Sequence, residues 1–193
     1  MEPLKNQNTD SKFENKKNPD VIIYTDGSCS PNPGKAGWAA VLIHPQSGSV
    51  KEISGGFAHS TIGRMEILGV LNGLKSLNRN NLKIEIYSDA KYVVDSINKK
   101  WIDKWESESF VKRLNADLWV ELLKEIRRQE SVEFFCVKGH SGVEFNERCD
   151  VLAYNASQEP DLTEDSGYIN PQPVEMPSLF QKIEAPVILS TLG

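Results

Sequence analysis

The chain has 193 residues and a formal charge of -5, with 27 acidic residues against 22 Lys and Arg. This length fits one domain with additional terminal segments, or two small domains, because domains usually contain roughly 100–200 residues. No apolar run approaches the ~20 residues that cross a bilayer, and the N-terminal residues lack the apolar region of a secretory signal. We therefore expect a globular protein that is cytoplasmic and has no membrane partner.

The cysteines favour the same compartment. Cys29, Cys136 and Cys149 are odd in number, lie far apart and form no CxxC pair. A disulfide framework or a zinc site would need paired spacings, so we expect reduced, partly buried thiols.

The negative charge is concentrated at the C-terminal end of the chain. Residues 159–193 contain six acids and one base, whereas residues 1–158 contain 21 of each. An acidic total therefore does not exclude a nucleic-acid partner. Residues 1–19 are polar and contain too few apolar side chains to form a core. We predict a flexible polar arm at 1–19, one domain at 20–158 and an acidic, proline-containing tail at 159–193.

Hydrophobic periodicity predicts three strands followed by alternating helices and strands. The predicted elements are strands at 21–25, 37–44 and 50–57, a helix from Arg64 to Leu77, a strand at 83–88, helices at 89–97 and 114–128, a strand at 132–137 and a helix at 144–157. Short connections between the first three strands indicate an antiparallel meander. The later alternation indicates parallel strands, so the fold class is α/β, with a mixed sheet flanked by helices.

Four acidic residues occupy places where apolar or turn residues are common. Asp26 and Asp89 end predicted strands, Glu66 lies near the start of a helix, and Asp150 lies inside the last helix. Each alone could be a turn residue, a helix-dipole partner, an N-cap or an exposed helix residue. Together they could converge, and converging carboxylates need a cation such as Mg²⁺ or Mn²⁺ to offset their repulsion.

Five segments carry a family resemblance, in order and with the family's spacing. They are TDGSCSPNPG at 25–34, GRME at 63–66, YSDAKYV at 87–93, KGHSG at 138–142 and NERCDVLA at 146–153. The chain resembles the cellular ribonuclease H family, type 1, and EDSGY at 164–168 resembles the family's C-terminal end. The resemblance implies a ribonuclease H-like fold, in which a five-stranded mixed sheet has three antiparallel strands followed by parallel strands.

The resemblance also implies an activity and its catalytic residues. A ribonuclease H hydrolyses the RNA strand of RNA–DNA hybrids by two-metal catalysis and leaves 5′-phosphate and 3′-hydroxyl ends. The family's catalytic, metal-binding carboxylates fall on Asp26, Glu66, Asp89 and Asp150, with two Mg²⁺ ions expected and Mn²⁺ as an alternative. The family's mobile-loop histidine falls on His140, where flanking glycines would let the imidazole assist proton transfer or product departure.

Hybrid recognition is expected beside the carboxylates. Cys29 and Asn32 match the family's turn after the first strand, and Thr61 is placed to bind a DNA phosphate. Before the GRME segment the family commonly has two asparagines, but this chain has Ile62 and Gly63. The resemblance therefore implies an altered or weaker minor-groove contact here.

A second group of nucleic-acid contacts is expected near the middle of the chain. Many bacterial members have a basic handle there, and in this chain a Lys- and Trp-containing segment is followed by the acids of ESES at 106–109. Interleaved Trp and Lys can follow a strand by stacking and phosphate contact. The alternative is that Trp101, Trp105 and Trp119 pack inside the protein. The predicted contacts of this group, with one from the NERCD motif, are Lys91, Lys99, Lys100, Trp101, Trp105 and Asn146.

Other functions and partners stay open at this stage. A non-catalytic hybrid-binding module would have lost carboxylates, whereas a transposase or DNA exonuclease of the same superfamily would share them. The DGSC, GRME and NERCD contexts favour ribonuclease H. We expect a monomer. Ser178, Leu179 and Phe180 resemble, in part, the short peptides that dock on bacterial sliding clamps, although these residues could also pack on the domain or have no role.

Overall fold

The computed structural model describes residues 18–174. Within that range the strands and helices are β1 Val21–Cys29, β2 Gly34–His44, β3 Ser49–Ser60, α1 Ile62–Lys75, β4 Lys83–Ser88, α2 Lys91–Asn98, α3 Trp101–Ser107, α4 Ala116–Arg127, β5 Ser131–Cys136, α5 Glu144–Ser157 and α6 Ser166–Ile169. None of these helices is long and apolar enough to cross a membrane. The predicted clamp-binding residues Ser178, Leu179 and Phe180 lie outside the described residues.

The five strands form one mixed sheet in the order β3-β2-β1-β4-β5. The pairs β1–β2 and β2–β3 are antiparallel, whereas β1–β4 and β4–β5 are parallel. This arrangement confirms the predicted fold class. The prediction that the first strand stops before Asp26 is wrong, because β2 stays paired with β1 as far as Cys29. The parallel pairing with β4, however, ends at Thr25.

Helices cover both faces of the sheet, because alternate strand residues are apolar on opposite sides. Ile23 belongs to the larger hydrophobic cluster, which includes buried side chains of α1, α2, α3 and α4. Its neighbour Tyr24 packs against the smaller cluster, where Cys149 and Ala153 of α5 meet β2. The sheet therefore holds α1 and α5 on opposite sides of β1, and each of these helices carries a predicted catalytic acid.

The start of the predicted acidic tail packs against the domain. Thr163 forms a parallel bridge with Phe57 of β3, and its carbonyl accepts a 2.8 Å hydrogen bond from the Ala58 N–H. Asp165 is buried, and Val174 packs against the larger hydrophobic cluster. Hydrogen bonds and burial therefore attach this segment to the fold, and the domain boundary at residue 158 stays a prediction.

Candidate active site

Asp26 and Asp89 meet at one edge of the parallel part of the sheet. The β1–β4 ladder ends with Thr25 opposite Ser88, so Asp26 and Asp89 are the next residues along two adjacent strands. Sites of open α/β sheets commonly lie at this carboxyl end. The register therefore places two of the predicted carboxylates side by side.

Glu66 reaches this edge because α1 approaches β1 closely at a glycine. A Cβ on Gly27 would lie 2.8 Å from the Glu66 backbone nitrogen and 2.9 Å from the Met65 Cβ. Real Cβ atoms do not come that near other atoms, so a larger residue at position 27 would push α1 away from the strand. Gly27 thus sets the position of the Glu66 carboxylate beside that of Asp26.

Burial and the charge of Asp89 alter the protonation of its two acidic neighbours. Burial, with the nearby negative charge of Asp89 as the next cause, raises the pKa of Asp26 to about 7. Burial and the same Asp89 charge raise the pKa of Glu66 to about 7. Like charges brought together in a partly desolvated place favour protonation unless a cation neutralises them. The site therefore has a strong electrostatic preference for binding positive charge.

Asp150 completes the acidic group from the other layer of the protein. It lies on α5, its charge contributes to the raised pKa of Asp26, and its side chain is partly exposed. The Nδ1 atom of His140 lies 3.7 Å from the Asp150 Oδ2. The His140 side chain is 83% exposed and its backbone is left-handed, with a φ of 51°. The structure thus brings the predicted loop histidine to the edge of the acidic group.

Asn146 contacts a carboxylate from inside the protein. Its side chain is buried, and its Nδ2 lies 3.4 Å from the Asp89 Oδ2 as a long hydrogen bond. Its Oδ1 has no hydrogen-bond partner among residues 18–174. Burial directs the Asn146 amide to Asp89, and a contact of Asn146 with nucleic acid stays a prediction.

Gly139 makes room for Asp89, a role that the sequence motif did not reveal. A Cβ at this position would lie 2.6 Å from the Asp89 Oδ2. We expect Gly139→Ala to displace this carboxylate and to lower kcat about 10- to 100-fold, since a shift of about 1 Å at a reacting group has costs of that size. Steady-state cleavage assays would measure the change. Gly63→Ala, whose added Cβ would lie 3.8 Å from the Asn115 Nδ2, an ordinary contact distance, is the matched control, and equal activity of the two variants would contradict the expectation.

The donor set fits hard divalent cations. All four acidic groups offer oxygen, and Mg²⁺ is usually held by one or two carboxylates, with water and substrate phosphates completing its shell. Among residues 18–174, no group of three His, Cys, Asp or Glu side chains is arranged so that it could hold a metal ion by itself. Carboxylates that bind the ions together with substrate phosphates do not need to form a complete metal site by themselves. The residues therefore fit a hard divalent cation bound together with a phosphate-containing ligand.

The predicted minor-groove turn lies against the start of α1. The Asn32 Oδ1 accepts a 3.1 Å hydrogen bond from the Ile62 backbone N–H, and the Cys29 Sγ donates to the Pro31 carbonyl at 3.3 Å. Thr61 is the N-cap residue of α1. These predicted contacts are therefore grouped one helical turn from Glu66.

The predicted lysine contacts extend along α2 and α3. Lys91 and Lys99 both lie within 3.0 Å of the Asp95 Oδ2. Lys99 also lies over the Trp101 ring, with 5.4 Å between its Nζ and the ring centroid. Lys100 is the N-cap residue of α3 and has left-handed backbone. Trp101 is exposed, so its ring is accessible for stacking.

Trp105 has a different environment. Its side chain is buried, and its ring packs edge-on against the fully buried Trp119 at 5.4 Å between centroids. These contacts favour the packing alternative for Trp105 and Trp119, and stacking of Trp105 on a base stays a prediction. Because both Trp-containing helices present an apolar stripe, the sequence alone could not separate the two roles.

A buried ion network supports the start of α1, and the sequence motifs gave no indication of it. The Arg64 Nε donates to the Asp165 Oδ2 at 2.7 Å, and its two Nη atoms donate to the Asp117 carboxylate at 3.0 and 2.8 Å. The Ser60 hydroxyl also donates to Asp165, at 2.6 Å. Arg64 lies two residues before Glu66, so this network fixes the backbone that carries a site carboxylate. Arg64 and Asp165 lie in the GRME and EDSGY segments, and neither segment alone shows that the two residues meet.

A mixed sheet of this order, with carboxylates at the ends of two central strands and on flanking helices, defines the protein's class as an α/β nuclease domain. The RNase H family model matches residues 18–158. The ribonuclease H of Trichodesmium erythraeum (strain IMS101) is 41% identical over 157 residues, which cover 79% of this chain and 98% of that protein. The chain belongs to the ribonuclease H family, type 1.

Solved structures agree on the fold. LC9-RNase H1, a type 1 RNase H with the type 2 active-site motif, matches with a TM-score of 0.64 and 24% identity over 73% of each chain. LC11-RNase H1, solved in complex with an RNA/DNA hybrid, matches with a TM-score of 0.55 and 18% identity, covering 70% of this chain and 95% of that one. Because both sequence identities are low, the similarity to these two structures supports the fold of this chain and nothing further.

Proposed function

We propose that this protein is an endonuclease that hydrolyses the RNA strand of RNA–DNA hybrids and leaves 5′-phosphate and 3′-hydroxyl ends. The observation that carries the proposal is the grouping of Asp26, Glu66 and Asp89, whose mutual repulsion and burial raise the pKa values of the first two to about 7. Membership of the ribonuclease H family supports the same activity.

The proposed cofactor is Mg²⁺, with Mn²⁺ as an alternative, held by Asp26, Glu66, Asp89 and Asp150. Two such ions, when bound with substrate, would supply an activated water and stabilise the departing 3′ oxygen. The protein's own part is to hold these carboxylates in place through Gly27, the Asn146 amide and the packing of α1 and α5. His140, exposed beside Asp150, is proposed to carry a proton near the cleaved bond or to assist product departure.

The proposed hybrid contacts divide into two groups. Cys29, Asn32 and Thr61 lie beside the start of α1 and would meet the minor groove and a backbone phosphate. A second group on α2 and α3 would contact phosphates and a stacked base, and comprises Lys91, Lys99, Lys100 and Trp101. Because Asp95 already binds two of these lysines, we propose modest hybrid affinity with strong salt dependence.

The substrate proposal can be tested with three labelled duplexes. We expect the protein in Mg²⁺ to cleave an RNA–DNA hybrid and to leave duplex DNA and duplex RNA intact, with no cleavage after chelation. End-group analysis of the hybrid products should give 5′-phosphates. Cleavage of duplex DNA at a comparable rate would favour a DNA nuclease of the same superfamily, and binding without cleavage would favour a non-catalytic hybrid-binding module.

Three further proposals concern the protein's setting. We propose that it acts as a monomer, since one chain carries all four carboxylates, and that it acts in the cytoplasm. The physiological hybrid would be a primer or an R-loop. Docking of Ser178, Leu179 and Phe180 on a sliding clamp stays a prediction from the sequence.

A further inference from the structure

A groove of about 1090 Å³ runs past the starts of α1 and α4. Its lining includes Thr61, the N-cap of the helix that carries Glu66, and Asn32, which accepts a hydrogen bond from the Ile62 N–H, together with Arg113 and Asn115. A nucleic-acid strand that reaches the site past the start of α1 would therefore pass these residues. The charge of the groove decides how well it holds that strand, because phosphate contacts dominate such binding.

Three cations line the groove, and each is bound to an acid. Arg64 is buried against Asp117 and Asp165, so it serves the fold. Lys124 lies 2.6 Å from Glu121, which also lines the groove and cancels its charge there. Arg113 differs, because Glu108, its acidic partner, lies outside the groove lining.

Glu108 binds two cations of the same region. Its Oε2 accepts a 2.9 Å hydrogen bond from the Arg113 Nη2, and its Oε1 lies 4.0 Å from the Lys104 Nζ. The side chains of Glu108 and Arg113 are 42% and 38% exposed. Ion pairs with such exposure stabilise a fold by only about 0–1 kcal/mol. The Glu108–Arg113 pair therefore contributes little to folding stability.

The loop between α3 and α4 holds the pair together. Ser109, Phe110, Lys112 and Asn115 all have left-handed backbone, and Phe110 is buried in the larger hydrophobic cluster. The Phe110 N–H donates to the Trp105 carbonyl at 2.7 Å. Arg113 also lies over the buried Trp105 ring, at 5.4 Å from the guanidinium carbon to the centroid. A fixed loop presents Arg113 to Glu108 with little loss of conformational entropy on pairing.

We infer that Glu108 is an affinity-determining residue that competes with substrate phosphates for Arg113 and Lys104. It holds Arg113 at the rim of the groove, and its negative charge offsets the positive charge of Arg113 there. The inference rests on the proposed function, because the competing ligand is the phosphate backbone of a hybrid. A guanidinium can form bidentate hydrogen bonds with a carboxylate or with a phosphate, so Glu108 and the hybrid compete for the same donors, and release of Arg113 should give tighter hybrid binding.

The test measures hybrid affinity against salt for the full chain in a chelating buffer, where no cleavage occurs. At low salt we expect Glu108→Gln to bind a labelled RNA–DNA hybrid about three- to tenfold more tightly, the size of one weakly screened charge contact. The slope of log affinity against log salt should steepen by about 0.9 for each additional phosphate that the released cations neutralise. Unchanged affinity would overturn the inference.

Two further variants separate this effect from a general change in charge. Glu106→Gln removes the same charge two positions away, but Glu106 binds Arg127, which is not among the residues lining the groove. It should change affinity much less than Glu108→Gln does. In an Arg113→Gln background the increase in affinity from Glu108→Gln should largely disappear, and an increase that persists in full would overturn the inference. Failure of the wild-type protein to bind or cleave hybrid would instead refute the proposed function.

Discussion

Replacement of Asp26 by Asn is expected to reduce hybrid cleavage by at least about 1000-fold, while the protein stays folded and binds hybrid. The substitution keeps the shape of the side chain and removes the carboxylate that directly follows the β1–β4 ladder, so the proposed cation-dependent chemistry loses a ligand. Single-turnover cleavage with saturating protein would measure the chemical step. Asp161→Asn, which makes the same change at an exposed position, should leave the rate unchanged.

The same variant should be more stable than the wild type in a chelating buffer at pH 8. Burial and Asp89 raise the pKa of Asp26 to about 7, above its value in the unfolded chain, so the folded protein binds more protons between about pH 4 and pH 7. Stability of the wild type is therefore lost as the pH rises through that window. Asn cannot ionise, so the stability advantage of the variant should be absent near pH 4 and on the order of 1–3 kcal/mol at pH 8.

Urea unfolding at both pH values would measure this difference. A variant less stable than the wild type at pH 8 would show that the Asp26 carboxylate stabilises the fold. That outcome would contradict the electrostatic description of the site. Loss of activity together with an increase in stability is the pattern expected where function places like charges together.

Replacement of Arg64 by Ala should destabilise the protein by about 3–5 kcal/mol, because it leaves Asp165 buried without its cation. Arg64 and Asp165 have side-chain exposures of 4% and 5%. Their pairing connects α1 to the segment after α5, so both the fold and the position of Glu66 depend on it. Urea unfolding in a chelating buffer would measure the loss.

Arg148→Ala provides a matched control. Arg148 makes two 2.8 Å hydrogen bonds to Glu52, so its carboxylate contact is bidentate like that of Arg64 with Asp117. The Arg148–Glu52 pair is exposed, and its removal should cost at most about 1 kcal/mol. Equal losses for the two variants would show that burial does not determine the value of the Arg64 network.

The fold class was predictable because the spacing of apolar residues indicates the buried face of each strand or helix, and turn residues indicate where these elements end. The β-branched run from Val21 and the apolar stripe of α1 each correspond to an observed element. The end of β1 was not predictable, since Asp26 and Gly27 are turn residues locally and stay in the strand only through pairing with β2. The residues around Asp26 do not show that β2 will pair with them, so the local sequence cannot predict where β1 ends.

The site residues divide in the same way, into those that sequence motifs predict and those whose role depends on distant contacts. Motif order identified Asp26, Glu66, Asp89 and Asp150, and the register and helix packing explain why four separated segments meet. Residues whose role depends on a distant contact could not be read from the chain. Trp105 and Asn146 are interior residues, and Asp165 and Gly139 have structural roles, because burial is decided by segments far away in the sequence.

The bridge between Thr163 and Phe57 bears on how the protein behaves in concentrated solution. β3 is a terminal strand of the sheet, and unpaired amides along such a strand offer a template for another chain. The segment after α5 occupies part of that edge by hydrogen bonding to the Ala58 amide. Thr163 therefore blocks part of this edge from pairing with another chain, so a version shortened at residue 158 would be prone to self-association even with every carboxylate in place.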